Sequence, residues 1–176
     1  KGAGRNSVFG RGWSFAYTEQ LSKAADGSIR YTRDDGSVLI FTEENGAYKS
    51  PDGYGLTLEK QKIRENTWDF GAGEETYPVY TYTITDREHT VKTFDCFGML
   101  ASICDEKGNQ TTLVYDENQN LTKIQSPAGT EYQIKTSEEG YITAVGLPNG
   151  SSLSYTYDEE GNLVSYTDAN GALTRY

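Results

Sequence analysis

A 21-residue period in the second half of the chain constrains the fold more than any other feature. Setting Phe94, Tyr115, Thr136 and Tyr157 as successive first positions brings Leu100, Leu121, Ile142 and Leu163 into register. Ile103, Ile124, Val145 and Tyr166 follow three residues later, then Gly108, Gly129, Gly150 and Gly171, then Leu113, Ile134, Tyr155 and Tyr176. The period runs to the end of the chain without an insertion. Fixed self-similarity of this length is the signature of a stacked repeat array, in which each unit buries its apolar face against its neighbours.

Each unit predicts a β-hairpin: an outgoing strand over the sixth to eleventh positions, a turn closing on the column glycine, and a return strand ending at the Tyr-Asp position. Lys107-Gly108, Asn149-Gly150 and Asn170-Gly171 supply turn chemistry with glycine where a positive φ is required. A second turn follows each return strand, as at Asp116–Asn120 and Asp158–Asn162. Return strands alternate apolar residues with period two, as in Leu153, Tyr155 and Tyr157, which suits a sheet with one buried face. The outgoing strands break that rule. Leu100 and Ile103, or Leu121 and Ile124, are three apart, so either a bulge intervenes or both faces are covered. No stretch sustains helical apolar spacing, and Thr, Gly, Asn and Tyr recur every few residues, so no long helix is expected.

Turn signals come faster upstream, at Asp26-Gly27, Asp35-Gly36, Asn45-Gly46 and Asp52-Gly53, with strand-like runs over 28–32 and 37–42 between them. Phe9-Gly10-Arg11-Gly12-Trp13-Ser14-Phe15-Ala16-Tyr17 suits an edge or cap strand packed over a sheet end, a need of any repeat array. Residues 71–78 predict an exposed loop, and 79–85 and 90–94 resume the strand pattern. No biased linker divides the chain. The expected architecture is all-β, an antiparallel meander of repeated hairpins forming one continuous, curved and extended sheet system. Residues 1–93 would be a leading segment with short hairpins and a cap strand, and residues 94–176 four consecutive repeats, the last truncated.

The composition, with 14 tyrosines and 19 glycines, agrees with pleated half-buried surfaces and tight turns. The formal net charge is -10. Residues 94–176 hold 12 acids against 4 bases. Such a surface repels phosphate backbones and anionic lipid, which disfavours nucleic acid and membrane surfaces as partners. No apolar run approaches a membrane span, and no signal segment opens the sequence. The chain begins at Lys1 without an initiator methionine and is expected to be a segment of a longer polypeptide. Its two cysteines, Cys96 and Cys104, lack zinc-site spacing. On an extended segment they would stand about 26 Å apart, beyond disulfide reach, so free and partly buried thiols are expected.

Tyr115-Asp116 and Tyr157-Asp158-Glu159-Glu160-Gly161-Asn162-Leu163, each followed by a strand and a glycine-containing turn, resemble the YD repeat of Rhs, wall-associated and teneurin-like proteins. The opening Phe9-Gly10-Arg11-Gly12-Trp13-Ser14 is similar to the segment that leads into such arrays. Phe94-Asp95 and Thr136-Ser137 replace the Tyr-Asp pair in two units, and Gln119 stands where the turn glycine is usual. The resemblance implies a long antiparallel sheet spiralling into a hollow shell, which in bacterial members encloses a C-terminal toxin or effector. It also implies export to the cell surface or beyond. The self-cleaving Asp-Pro motif that can close the family's shell has no counterpart here, so self-cleavage is not expected of this segment.

Candidate chemistry is sparse. With 26 acids a carboxylate pair for glycoside hydrolysis can always be nominated, but the acids fall mostly in repeat turns. Asp116-x-Asn118-x-Asn120 opens like a calcium loop, then fails at Leu121 and Pro127, where glycine and the closing glutamate belong. His89, the only histidine, sits in the polar run 86–90, with no nucleophile elbow to make a triad. Exposed Tyr and Trp rings could stack on sugars, although alternating aromatics more often fill a core or ladder across strands. No catalytic, cofactor-binding or metal-ligating residue is nominated. The expected role is a structural, non-catalytic shell segment that encapsulates or presents a C-terminal toxin or effector. Its partners would be the rest of its own polypeptide and that cargo. The alternative is an extracellular adhesion or carbohydrate-binding module using exposed aromatics on a cell-surface glycan or protein.

Overall fold

The computed structural model describes residues 6–69 and 74–176, and every regular element among them is a strand. The chain divides into two compact units. One holds the N-terminal stretch ending at Thr18, Asp34–Ser37 and Gln110–Tyr176; the other holds Glu19–Arg33 and Val38–Asn109. The all-β antiparallel meander expected from the sequence is present in both.

The first unit opens with a minimal hairpin, β1 (Asn6–Ser7) and β2 (Gly10–Arg11). In the second unit, β3 (Gln20–Lys23), β4 (Ile29–Thr32), β5 (Val38–Glu44) and β6 (Ala47–Lys49) form a four-stranded sheet in chain order. Leu21, Ile29, Tyr31, Leu39 and Phe41 alternate onto its buried face. Then β7 (Thr57–Asp69), β8 (Glu74–Thr85), β9 (Val91–Phe94) and β10 (Leu100–Cys104) follow, each paired antiparallel with the next. Leu58, Ile84, Phe94 and Leu100 face inward from these strands, and Phe94 meets Tyr31 edge to face at 5.9 Å. Two sheets thus enclose the core of this unit.

The remaining strands of the first unit also pair in chain order. They are β11 (Gln110–Tyr115), β12 (Leu121–Gln125), β13 (Glu131–Thr136), β14 (Ile142–Gly146), β15 (Ser152–Tyr157), β16 (Leu163–Thr167) and β17 (Leu173–Arg175). Their ladder answers the question of the outgoing strands in favour of a bulge. Tyr115 pairs with Leu121, yet Val114 pairs with Lys123, so Thr122 is an extra residue. Ala101, Thr143 and Val164 are skipped in the same way, 21 residues apart. Because one added residue reverses the side-chain alternation, Leu121 and Ile124 land on the same face despite their odd spacing. Leu113 lies opposite Ile124, Ile134 opposite Val145, and Tyr155 opposite Tyr166 on that face.

Every turn of the array has one geometry. The first residue's N–H bonds the fifth residue's carbonyl, and the fourth residue's N–H bonds the first residue's carbonyl, as at Asp105–Asn109, Asp116–Asn120, Ser126–Thr130 and Asp158–Asn162. The fourth residue adopts a left-handed φ, which is why the column is glycine. Two described turns carry a side chain there: Gln119, with φ 65°, and His89, with φ 61°. The turn at Asp86–Thr90 shows that the repeat geometry starts before Phe94. Gln119→Gly is expected to stabilise the chain by about 0.5–1 kcal/mol, the left-handed penalty less the added chain entropy of glycine. A shift of the urea midpoint at constant m checks it.

The loop expected over 71–78 is corrected in part. Residues 71–73 lie outside the described residues, but Glu74–Pro78 belongs to β8 and pairs with Glu65–Asp69. Pro78 is tolerated because β9 reaches only Tyr82–Thr85, so β8 has a single partner at the proline. Most of the described side chains of β7 are exposed, Ile63 half so, and the sequence of β7 carries no apolar alternation, whereas Tyr80, Tyr82 and Ile84 of β8 alternate.

Candidate functional site

The Tyr-Asp pair is the chemistry that the array repeats. Its aspartate caps its own turn: Asp158 Oδ1 accepts the N–H groups of Glu160 at 3.1 Å and Asn162 at 2.8 Å, while Oδ2 accepts the Asn162 amide at 2.9 Å. Asp105 and Asp116 do the same with Asn109 and Asn120, and Asp86, Asp95 and Asp168 bond their own turn N–H groups alike. The apparent calcium motif is therefore an Asx turn, with Asn120 donating to Asp116. Among the described residues no three His, Cys, Asp or Glu side chains gather where they could hold a metal ion. His89 is an exposed turn residue, and Cys96 and Cys104 are free, half-buried thiols.

These hydrogen bonds hold the carboxyls of Asp105, Asp116 and Asp158 below the usual carboxylate range, the Asn partner being the main cause in each. A depressed folded pKa adds stability that is present above the unfolded value and lost as pH falls through the folded one. The urea midpoint is therefore expected to fall progressively below about pH 4. The triple variant Asp105→Asn, Asp116→Asn, Asp158→Asn should flatten that dependence, which urea titrations across pH 2–6 would measure.

The tyrosine of the second pair, Tyr157, serves the neighbouring unit. Tyr157 donates its hydroxyl to the Ile142 carbonyl at 2.7 Å, beside the bulge of β14, and its ring stacks on Tyr141 at 4.9 Å. Burial, then the neighbouring Tyr155 and Tyr141, push this phenol up to about 12. The opening aromatic segment adds no strand to the ladder. It lies instead across strand starts and turns of its unit: Ile142 N–H donates to Val8 O at 2.7 Å and Arg11 N–H to Gly161 O at 3.1 Å. Gly10 makes this possible, since a Cβ there would stand 2.5 Å from the Gly161 oxygen. Phe9 then packs on Tyr155 and Phe15, and Trp13 meets Tyr176 edge to face at 5.3 Å. Trp13 and Tyr176, 43 % and 64 % exposed, border a shallow hollow of about 290 Å³ over Tyr155, Leu163 and Tyr166. Tyr54, Tyr77 and Phe97 are exposed as well among the described residues.

Sequence reasoning missed a buried polar cluster in the second unit. Lys92 on β9 donates to both oxygens of Glu19 at 2.7 and 2.8 Å, and Tyr31 on β4 donates to Glu19 at 2.5 Å. Glu19 is only 5 % exposed. Its partners lie 12 and 73 residues away in the chain, so no local pattern announces them.

Repeated hairpins with one turn, one bulge and a Tyr-Asp pair spent on backbone contacts define a structural β-repeat protein. Residues 94–131 and 138–173 match the RHS repeat family, and residues 1–41 match a domain of unknown function, DUF6531, that accompanies such repeats. No curated protein matches the chain. The chain belongs to the Rhs, or YD-repeat, family.

Proposed function

We propose that this chain is a non-catalytic wall segment of an extracellular β-shell that encapsulates or presents a polypeptide cargo, a C-terminal toxin or effector of the same protein. The observation that carries the reading is the use made of the Tyr-Asp pair. Tyr157 bonds the Ile142 carbonyl and Asp158 its own turn, so the pair is spent on backbone contacts that hold the hairpins together. Further repeats of its own polypeptide and the cargo are its partners. The acidic surface disfavours nucleic acid, and no helix of the described residues is long and apolar enough to cross a membrane. The test combines toxin-free shell with isolated cargo in size-exclusion chromatography and limited proteolysis. Co-elution and protection of the cargo are expected; a cargo that elutes alone and is digested at its free rate refutes the reading.

A second reading, adhesion to a cell-surface glycan or protein, is favoured by the exposed Trp13–Tyr176 pair. It predicts saturable binding on a glycan array or cell surface that is lost in Trp13→Ala.

A further inference from the structure

Three Asn-Gly pairs occur in the chain, at Asn45-Gly46, Asn149-Gly150 and Asn170-Gly171. Such a pair carries its own electrophile and nucleophile. The side-chain amide carbon of asparagine lies within reach of the next residue's backbone nitrogen, and glycine adds no side chain to obstruct the approach. The nitrogen attacks only after it has shed its proton, so a hydrogen bond made by that N–H holds the reaction back. In the array turns this bond is present. Gly150 N–H donates to Leu147 O and Gly171 N–H to Asp168 O, both at 3.0 Å. The Asn149 side chain is held as well, its Oδ1 accepting from the N–H and the hydroxyl of Ser151 at 3.1 and 2.6 Å.

Asn45 stands in a different turn. Asn45 and Gly46 alone join β5 to β6, with Glu44 paired to Ala47, and their φ angles are 54° and 84°. Positive φ at both residues marks the type I′ hairpin turn, whose closing hydrogen bonds run between the flanking residues, here Glu44 and Ala47. Gly46 N–H and the Asn45 side chain make no hydrogen bond among the described residues. Both residues are exposed, and a Cβ on Gly46 would meet nothing within 4 Å, so a succinimide ring has room to form and water has access to it. Next to this turn, Glu43, opposite Tyr48 in the ladder, accepts from Lys60 Nζ at 3.0 Å. Lys60 lies over the rings of Tyr48 and Tyr80 at 5.4 and 5.6 Å, which fastens the short strand β6 to its surroundings. An isoaspartyl link adds a backbone atom to a two-residue turn, so the turn no longer matches the twist of its strands and Tyr48 is drawn away from Lys60.

We propose that Asn45 is a site of spontaneous deamidation, favoured by the fold over Asn149 and Asn170, and that its isoaspartyl product loosens β6. The Gly46 nitrogen forms a bond to Asn45 Cγ as the Cγ–Nδ2 bond breaks, and the departing amide takes up the proton lost from Gly46 and leaves as ammonia. Water then opens the succinimide at either carbonyl to give aspartate or isoaspartate, with no oxidant or reductant needed. The reaction is independent of the encapsulation reading. The chain is held in mildly alkaline buffer, folded and in parallel in urea, and its peptides are mapped by mass spectrometry over time. In the folded chain Asn45 is expected to convert at least about fivefold faster than Asn149 or Asn170, the effect of one protecting hydrogen bond. In urea the three rates should converge to within about threefold, because only the fold separates them. The isoaspartyl form, separated chromatographically, should exchange the amide protons of β6 at least about fivefold faster than fresh chain. Asn45→Asp, which adds the charge without the backbone atom, should stay within about twofold of fresh chain. Conversion of Asn149 or Asn170 at the Asn45 rate in the folded chain overturns the proposal. So does an intact Asn45 in folded chain once the unfolded chain has converted, or unchanged β6 exchange in the isoaspartyl form.

Discussion

Lys92→Met is expected to lower the unfolding free energy by about 3–5 kcal/mol, the cost of leaving one member of a buried ion pair without its partner. Glu19 is almost wholly buried, and Lys92 is the cation that meets it, so removal strands a carboxylate with only the Tyr31 hydroxyl. The double variant Glu19→Gln, Lys92→Met should recover about half of the loss or more. The amide carries no charge, and its oxygen still accepts from Tyr31. Urea titrations of the two singles and the double form a cycle that isolates the pair. A loss below about 1 kcal/mol for Lys92→Met would mean that the pair behaves as a solvated surface bridge and that Glu19 stays hydrated.

The second large effect is a contrast between two glycines with the same backbone. Gly98 and Gly108 both occupy the fourth turn position, with φ of 83° and 84°. A Cβ on Gly108 meets nothing, whereas one on Gly98 would overlap the Leu21 carbonyl, since β3 crosses there and Leu21 N–H donates to Gly98 O at 2.8 Å. Gly108→Ala should therefore cost about 1–2 kcal/mol, the left-handed penalty alone. Gly98→Ala should cost about 3 kcal/mol or more, because overpacking is added and β3 must move. Equal losses in thermal or urea unfolding would show that β3 yields at no cost.

The sequence made the array legible because its signals are local. Turn glycines, period-two return strands and the Tyr-Asp columns each act within a few residues, and they located β9 to β17 to within a residue or two. The odd spacing of Leu121 and Ile124 pointed to a bulge without fixing it, since a strand covered on both faces has the same pattern. β7 escaped notice because a strand wet on both faces needs no apolar alternation, and Pro78 made the first residues of β8 resemble a loop. The sites in the second unit were invisible for another reason. Glu19, Tyr31 and Lys92 are brought together only by stacking one sheet on another.

The skipped residues Ala101, Thr122, Thr143 and Val164 also govern how such an array can change over generations. Strand geometry counts in twos, but the unit contains an odd number of residues, and the bulge absorbs the remainder. Duplication or loss of a whole unit therefore keeps the tyrosine face inward at every later strand. Removal of a single residue such as Thr122 forces the strand either to unpair or to present its apolar side to water. An array of this kind can lengthen or shorten by whole units without changing its register, whereas a shorter insertion within a strand would reverse the alternation of every side chain beyond it.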